Sequence, residues 1–171
     1  MLTPTGSGFS RWRGLAVTRW RDDPTTAGHG SYILARDRVS GASWSAALQP
    51  SGADPESHQA VFSEHQAAFT HQRDKLKTLT EVVVSAEDDA EARRVTLTNT
   101  GQTAREIDLT SYAELVLAPL ASDIAHQAFS KMFVVTDFLP ELGVLIATRR
   151  RRSPSDPEIW AAHIAVVEGA E

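Results

Sequence analysis

The chain has 171 residues, 42% of them hydrophobic and 23% charged, with a formal net charge of -5. That length suits one domain with a substantial core, and the acidic balance argues against a general nucleic-acid binder. With no cysteine, disulfides and thiolate metal sites are excluded, and no apolar run of membrane-spanning length or signal-peptide pattern is present, so a cytoplasmic domain without membrane contact of its own is expected.

In chain order, the first feature is the run Gly6-Ser7-Gly8-Phe9-Ser10-Arg11-Trp12, in which two glycines free the backbone just before a forked cation and a flat aromatic face. Strands are then predicted at Leu15–Trp20, Ser31–Arg36, Ala42–Leu48, Gln59–Phe62, Ala67–His71 and Lys77–Val84. Pro50 to Pro55 reads as an exposed loop, and Glu87 to Ala92 could hold a helical turn. Arg93–Asn99 alternates, and a hairpin loop at 100–104 leads into Glu106–Leu117. There, a period of two puts Ile107, Leu109, Ala113, Leu115 and Leu117 on one face, the mark of a sheet with one buried side. A helical turn over Leu120 to Gln127 and strands at Phe129–Thr136, Val144–Thr148 and Ile159–Val167 complete the reading. Eleven strands are too many for one small open sheet, so a single all-β domain built as a large antiparallel β-sandwich over 1–171 is expected. Both ends read as cuts in a longer polypeptide.

Three segments taken together are more informative than any one. They are the glycine–aromatic–Arg loop, Gly30-Ser31-Tyr32-Ile33-Leu34-Ala35-Arg36-Asp37 with Ser43-Trp44-Ser45 and Gln49-Pro50, and Arg93–Gly101 with Leu109–Glu114. In this order and spacing the chain resembles the N-terminal β-sandwich module of the family 94 glycoside phosphorylases. The segment Ala125–Phe133 with Pro140-Glu141-Leu142-Gly143 narrows the resemblance to the phosphorylase-like region of bacterial cyclic β-1,2-glucan synthases. The resemblance implies a super-sandwich of the galactose-mutarotase type. It also implies a parent enzyme, anchored in the bacterial inner membrane, whose catalytic Asp lies on a helical barrel that follows this module. The module itself is then expected to be non-catalytic, without cofactor, to pack on that barrel, to form a homodimer and to hold a β-glucan oligosaccharide weakly.

By the same resemblance the glycine–aromatic–Arg loop points toward the active-site side. The expected substrate-binding residues are Gly8, Ser10, Arg11, Trp12, Arg19 and Gln49. Trp44 is open between core and sugar platform, and Trp160, in a nearly all-apolar strand, reads as core. Arg149 to Arg152 read as a solvated basic loop or a contact with a neighbouring module. His29, His58, His65, His71, His126 and His163 form no compact ligand pattern, so no metal is expected; His126 reads as a local loop bond and His163 as a core residue. Glu87-Asp88-Asp89 and Asp22-Asp23 read as solvent-facing strand ends. Two other readings remain open: an aldose epimerase using His126 or His163 with Glu114, and an independent β-glucan-binding module.

Overall fold

The computed structural model of the chain describes residues 1–20, 30–51 and 56–168. The expected features at Asp22-Asp23, His29 and most of the Pro50–Pro55 loop lie outside them. The first strands are β1 (Arg11–Trp12), β2 (Leu15–Thr18), β3 (Ser31–Asp37) and β4 (Ser43–Ser45). Next come β5 (Ser57–Phe62), β6 (Ala67–Arg73), β7 (Leu76–Val84), β8 (Glu91–Asn99), β9 (Ile107–Ala113) and β10 (Leu115–Pro119). Two short helices, α1 (Leu120–Ala125) and α2 (Gln127–Lys131), precede β11 (Val134–Leu139), β12 (Val144–Arg149) and β13 (Trp160–Ile164). All the strand pairings are antiparallel, and the fold is all-β. Neither helix is long and apolar enough to cross a membrane.

The chain forms two compact units: Met1–Ser10 with Arg19–Glu114, and Arg11–Thr18 with Leu115–Glu171. In the first, a three-stranded sheet of order β4-β3-β9 faces a four-stranded sheet of order β5-β6-β7-β8. Ala35 and Trp44 from the smaller sheet meet Leu76 from the larger, with Leu97 and Ile107 packed around them. A second cluster of Ala67, Phe69 and Val82 takes in Leu2, Ala47 and Ala60. Alternation along β7 explains this: Leu76, Thr78, Thr80 and Val82 all point inward, while Lys77 and Val83 do not. Trp44 is therefore core, 2% exposed.

In the second unit, sheet β1-β2-β10 meets sheet β11-β12-β13 through Leu117, Ala147 and Ile159, with Leu15, Val17, Leu115 and Ala161 around them. The opposite side of β2 and β10 buries Ala16, Val116 and Ala118 against Leu120. The basic run is not simply solvated. Arg149 Nη1 donates to the carbonyls of Val116 (3.0 Å) and Ser130 (3.1 Å), tying β12 to β10 and α2. Burial lowers its pKa, opposed in part by Asp123. Arg150 donates to the Met132 carbonyl, and the Arg152 guanidinium lies 5.6 Å from the rings of both Phe129 and Phe133.

Several predicted elements are corrected. The long strand Glu106–Leu117 is two strands broken at Glu114, with a register shift between Leu115 and Ala118 and Leu117 at φ +52°. The break resets the alternation, so Val116 is buried beside Leu117 while Leu109 and Tyr112, on the outer strand β9, stay exposed. The N-terminal part of Phe129–Thr136 is helical, because 127–131 closes a helical turn before β11 begins. Glu87–Ala92 is not helical; the Ser85 hydroxyl accepts from the N–H groups of Glu87 and Asp88 and turns β7 back into β8. Trp160 is 61% exposed and His163 is exposed as well, so neither is core; Ile159, beside Trp160, is the residue that turns inward.

Two stability predictions follow from this packing. Phe69→Ala should cost about 3–5 kcal/mol in denaturant unfolding as a core truncation, and Trp160→Ala far less. Equal losses would contradict the burial pattern. Asp37 accepts from the N–H groups of Ser40 (2.8 Å) and Val39 (2.9 Å) and is paired with Arg105 (2.7 Å), which together hold its carboxyl at about 2. Because that value is depressed, its contribution is present above the unfolded carboxylate value of about 3.9 and is lost as pH falls through the folded value. Asp37→Asn should flatten this acid limb of the stability profile, and an unchanged limb would refute the assignment.

Candidate functional site

The glycine loop is shaped by close packing. Gly6 sits at φ +83°, and a Cβ there would lie 2.4 Å from the Ala47 Cβ; at Gly8 a Cβ would meet the Met1 carbonyl oxygen at 2.1 Å. Only glycine fits either place. The Thr5 carbonyl then accepts from the N–H groups of Leu48 (3.2 Å) and Gln49 (2.9 Å), fastening the loop to the Gln49 turn. At its other end Ser10 Oγ donates to Glu91 Oε2 (2.8 Å). Glu91 Oε1 accepts from Arg93 Nε (2.7 Å), and Arg93 Nη1 donates to the Ser31 carbonyl (2.7 Å).

These ties frame a recess in the first unit, with Gly6 and Gln49 on one side, Tyr32 and Arg93 on another and Phe69 at its apolar wall. It has room for roughly one water molecule. Burial raises the Tyr32 phenol, and the Arg93 charge partly offsets this. Such a set can hydrogen-bond hydroxyl groups. It does not supply the two carboxyl groups held several ångströms apart that glycoside chemistry uses, since Glu91 is already engaged by Ser10 and Arg93. Among the described residues no three His, Asp or Glu side chains converge on one point.

Arg19 departs from the role expected of it. Its side chain is 2% exposed and its Nη1 lies 2.5 Å from Glu114 Oε1, while its backbone N–H donates to the Glu114 carbonyl (2.9 Å). The guanidinium is thus committed to a buried ion pair. Phe9 and Trp20 pack nearby in sequence, ring centroids 5.5 Å apart. Arg11 and Trp12 belong to the second unit, on the β1–β2 hairpin, whose turn residues Arg13 (φ +47°) and Gly14 (φ +83°) both take the left-handed conformation of a two-residue hairpin loop. Arg11 is exposed and Trp12 half-buried. The Arg13 guanidinium lies 4.7 Å from the Trp12 ring centroid, and the buried Trp12 Nε1 has no acceptor.

Gly8, Ser10 and Gln49 therefore fall in one unit with the recess, Arg19 lies in that unit's interior, and Arg11 and Trp12 are carried by the other unit. Tyr32, Glu91 and Arg93 were not among the expected site residues. Tyr32 and Arg93 line the recess from two different sheets and Glu91 holds Arg93 in place, relations that local spacing does not display.

Comparison with known proteins decides the family. The family described as Glycosyl hydrolase 94, supersandwich domain, matches residues 1–171. The chain belongs to that family. The glycosyl hydrolase 94 supersandwich assignment agrees with the antiparallel sheets described above. The chain is also 44% identical over 164 residues to the cyclic β-(1,2)-glucan synthase NdvB of Rhizobium meliloti (strain 1021), a match covering 96% of this chain. It spans about 6% of the length of that relative.

The Arg19–Glu114 pair makes a direct prediction. Arg19→Ala strands a buried carboxylate and should cost about 3–5 kcal/mol, whereas the double substitution Arg19→Met with Glu114→Leu should recover most of the loss. A single substitution as mild as a surface change would show that the pair is not a buried strut.

Proposed function

We propose that this domain is a non-catalytic β-sandwich module of a cyclic β-glucan synthase, packed against a helical catalytic barrel that acts on β-glucan chains. The observation that carries the reading is the 44% identity to a cyclic β-(1,2)-glucan synthase across almost the whole chain, by a segment about 6% of that protein's length. The open face of β11–β13 supports it: Val135, Trp160 and Ile164 are 40%, 61% and 59% exposed, a surface suited to a neighbouring layer. In this reading the parent enzyme trims β-1,2-glucan by phosphorolysis on the cytoplasmic side of the inner membrane. The module completes one wall of the glucan site and assists dimerisation, and the glycine loop, the Gln49 turn and the Arg11–Trp12 hairpin are its sugar-facing parts. The epimerase alternative is disfavoured because its expected carboxylate, Glu114, is closed in the ion pair with Arg19.

Net hydrogen bonds to sugar hydroxyls contribute about 1 kcal/mol each, so the domain alone should bind β-glucan very weakly and release no glucose 1-phosphate from glucan and phosphate. In the full-length enzyme, Arg11→Ala and Trp12→Ala should lower phosphorolysis of β-1,2-glucan while circular dichroism stays native. Unchanged turnover in both folded variants would remove the hairpin from the site. Phosphorolysis by the isolated domain would overturn the non-catalytic reading.

A further inference from the structure

Three side chains on the inner face of the four-stranded sheet reach the segments that frame the recess. Thr80 Oγ1 on β7 donates to the Ala46 carbonyl (3.0 Å). His58 on β5 stands opposite His71 on β6, and its Nε2 lies 2.9 Å from the Pro4 carbonyl oxygen. A carbonyl only accepts, so Nε2 carries the hydrogen. His71, 2% exposed, meets the Ala47 backbone in a contact that favours the charged ring. Its partner is therefore the Ala47 carbonyl, and a ring N–H donates to it. The bond is loosely aligned, since neither ring nitrogen makes one of good geometry. Pro4 adjoins Thr5, whose carbonyl accepts from Leu48 and Gln49, and Ala47 lies against Gly6. The two histidines thus hold both sides of one junction, the glycine loop on one and the Gln49 turn on the other.

We propose that the His58–His71 pair is an acid-released latch: neutral, it clamps the glycine loop and the Gln49 turn onto the sheet, and protonation frees both. A neutral imidazole needs only one N–H to make each of these bonds. A second proton adds a donor without a matching acceptor. On His58 it would fall on Nδ1, which is buried without a partner. On His71 it would place a charge in the interior, where desolvation is costly. The groups facing His71 are His58 from β5, Arg73 on its own strand, and Thr78 and Thr80 from β7. The two of these that can carry charge, His58 and Arg73, both oppose its protonation. Burial is the largest cause and lowers the His71 pKa, and the Ala47 carbonyl offsets this only in part. With the closed-state value lowered, closure is favoured above the free imidazole value of about 6.5 and weakens as pH falls below it. The latch stands on this geometry and is independent of what the loop binds.

The test follows amide hydrogen exchange of the 171-residue chain by NMR from about pH 8 to about pH 5, corrected for intrinsic rates. Leu48 and Gln49, whose N–H groups the Thr5 carbonyl holds, should lose protection by up to about tenfold per pH unit below about 6.5. Amides at the centre of β3 should keep theirs. The double substitution His58→Gln with His71→Gln keeps two donors but cannot titrate, so its protection should be level across the range. His65→Gln, in an exposed bend, should behave as the unsubstituted chain. The His71 ring gives a readout that needs no variant to fold: its nitrogen shifts should report a neutral imidazole that begins to charge only below about pH 6.5. Protection at Leu48 and Gln49 that is flat with pH, an unchanged slope in the folded double variant, or a His71 ring charged at about pH 7 would overturn the latch. Equal loss at β3 would overturn it as well, because the whole unit would then be unfolding.

Discussion

Arg19 and Glu114 stand at two of the three steps where the chain passes between its two compact units, 18–19 and 114–115, the third being 10–11. Their side chains form a buried ion pair and their backbones a hydrogen bond. Beyond them β2 and β10 run on as antiparallel partners, with Thr18 opposite Leu115. The ion pair itself lies within the first unit, with one partner beside each of these steps. Desolvating both charges is expensive, and the mutual attraction offsets that cost only while the geometry is kept.

The same economy governs the loop. Gly6 and Gly8 let backbone lie against Ala47 and Met1 at distances no side chain allows, and the Thr5 carbonyl then binds the Gln49 turn. Glycines placed before an Arg-aromatic pair suggest mobility when read locally. Here their role is the opposite, because they permit close contact that immobilises the loop. What remains for ligands is a shallow set of donors around Tyr32, Gln49 and Arg93. That inventory can hydrogen-bond hydroxyl groups.

Much of the architecture was legible because strands advertise themselves by alternation. β3, β7, β8 and β12 lie within a residue or two of their predicted bounds. The misreadings share a cause. Apolar alternation identifies a face but not what covers it, so Trp160 in an apolar strand looked buried although that side of β13 is open. A bulge at Leu117 is invisible to a two-residue period, and Glu106–Leu117 was read through it as one strand. Phe129 was read into a strand because a single helical turn is too short to display its own period. Arg19 was read as a substrate contact because its partner is ninety-five residues away.

The account stands on the domain being one layer of a larger enzyme rather than a self-sufficient protein. Hydrogen exchange compared between the isolated domain and the full-length synthase tests this most directly. Amides of β13, at the edge of its sheet, and of the Gly6–Trp12 segment should exchange markedly more slowly in the full-length enzyme, while the interior of β6 and β7 should be unchanged. Identical exchange of β13 and the Gly6–Trp12 segment in the two proteins would contradict the account.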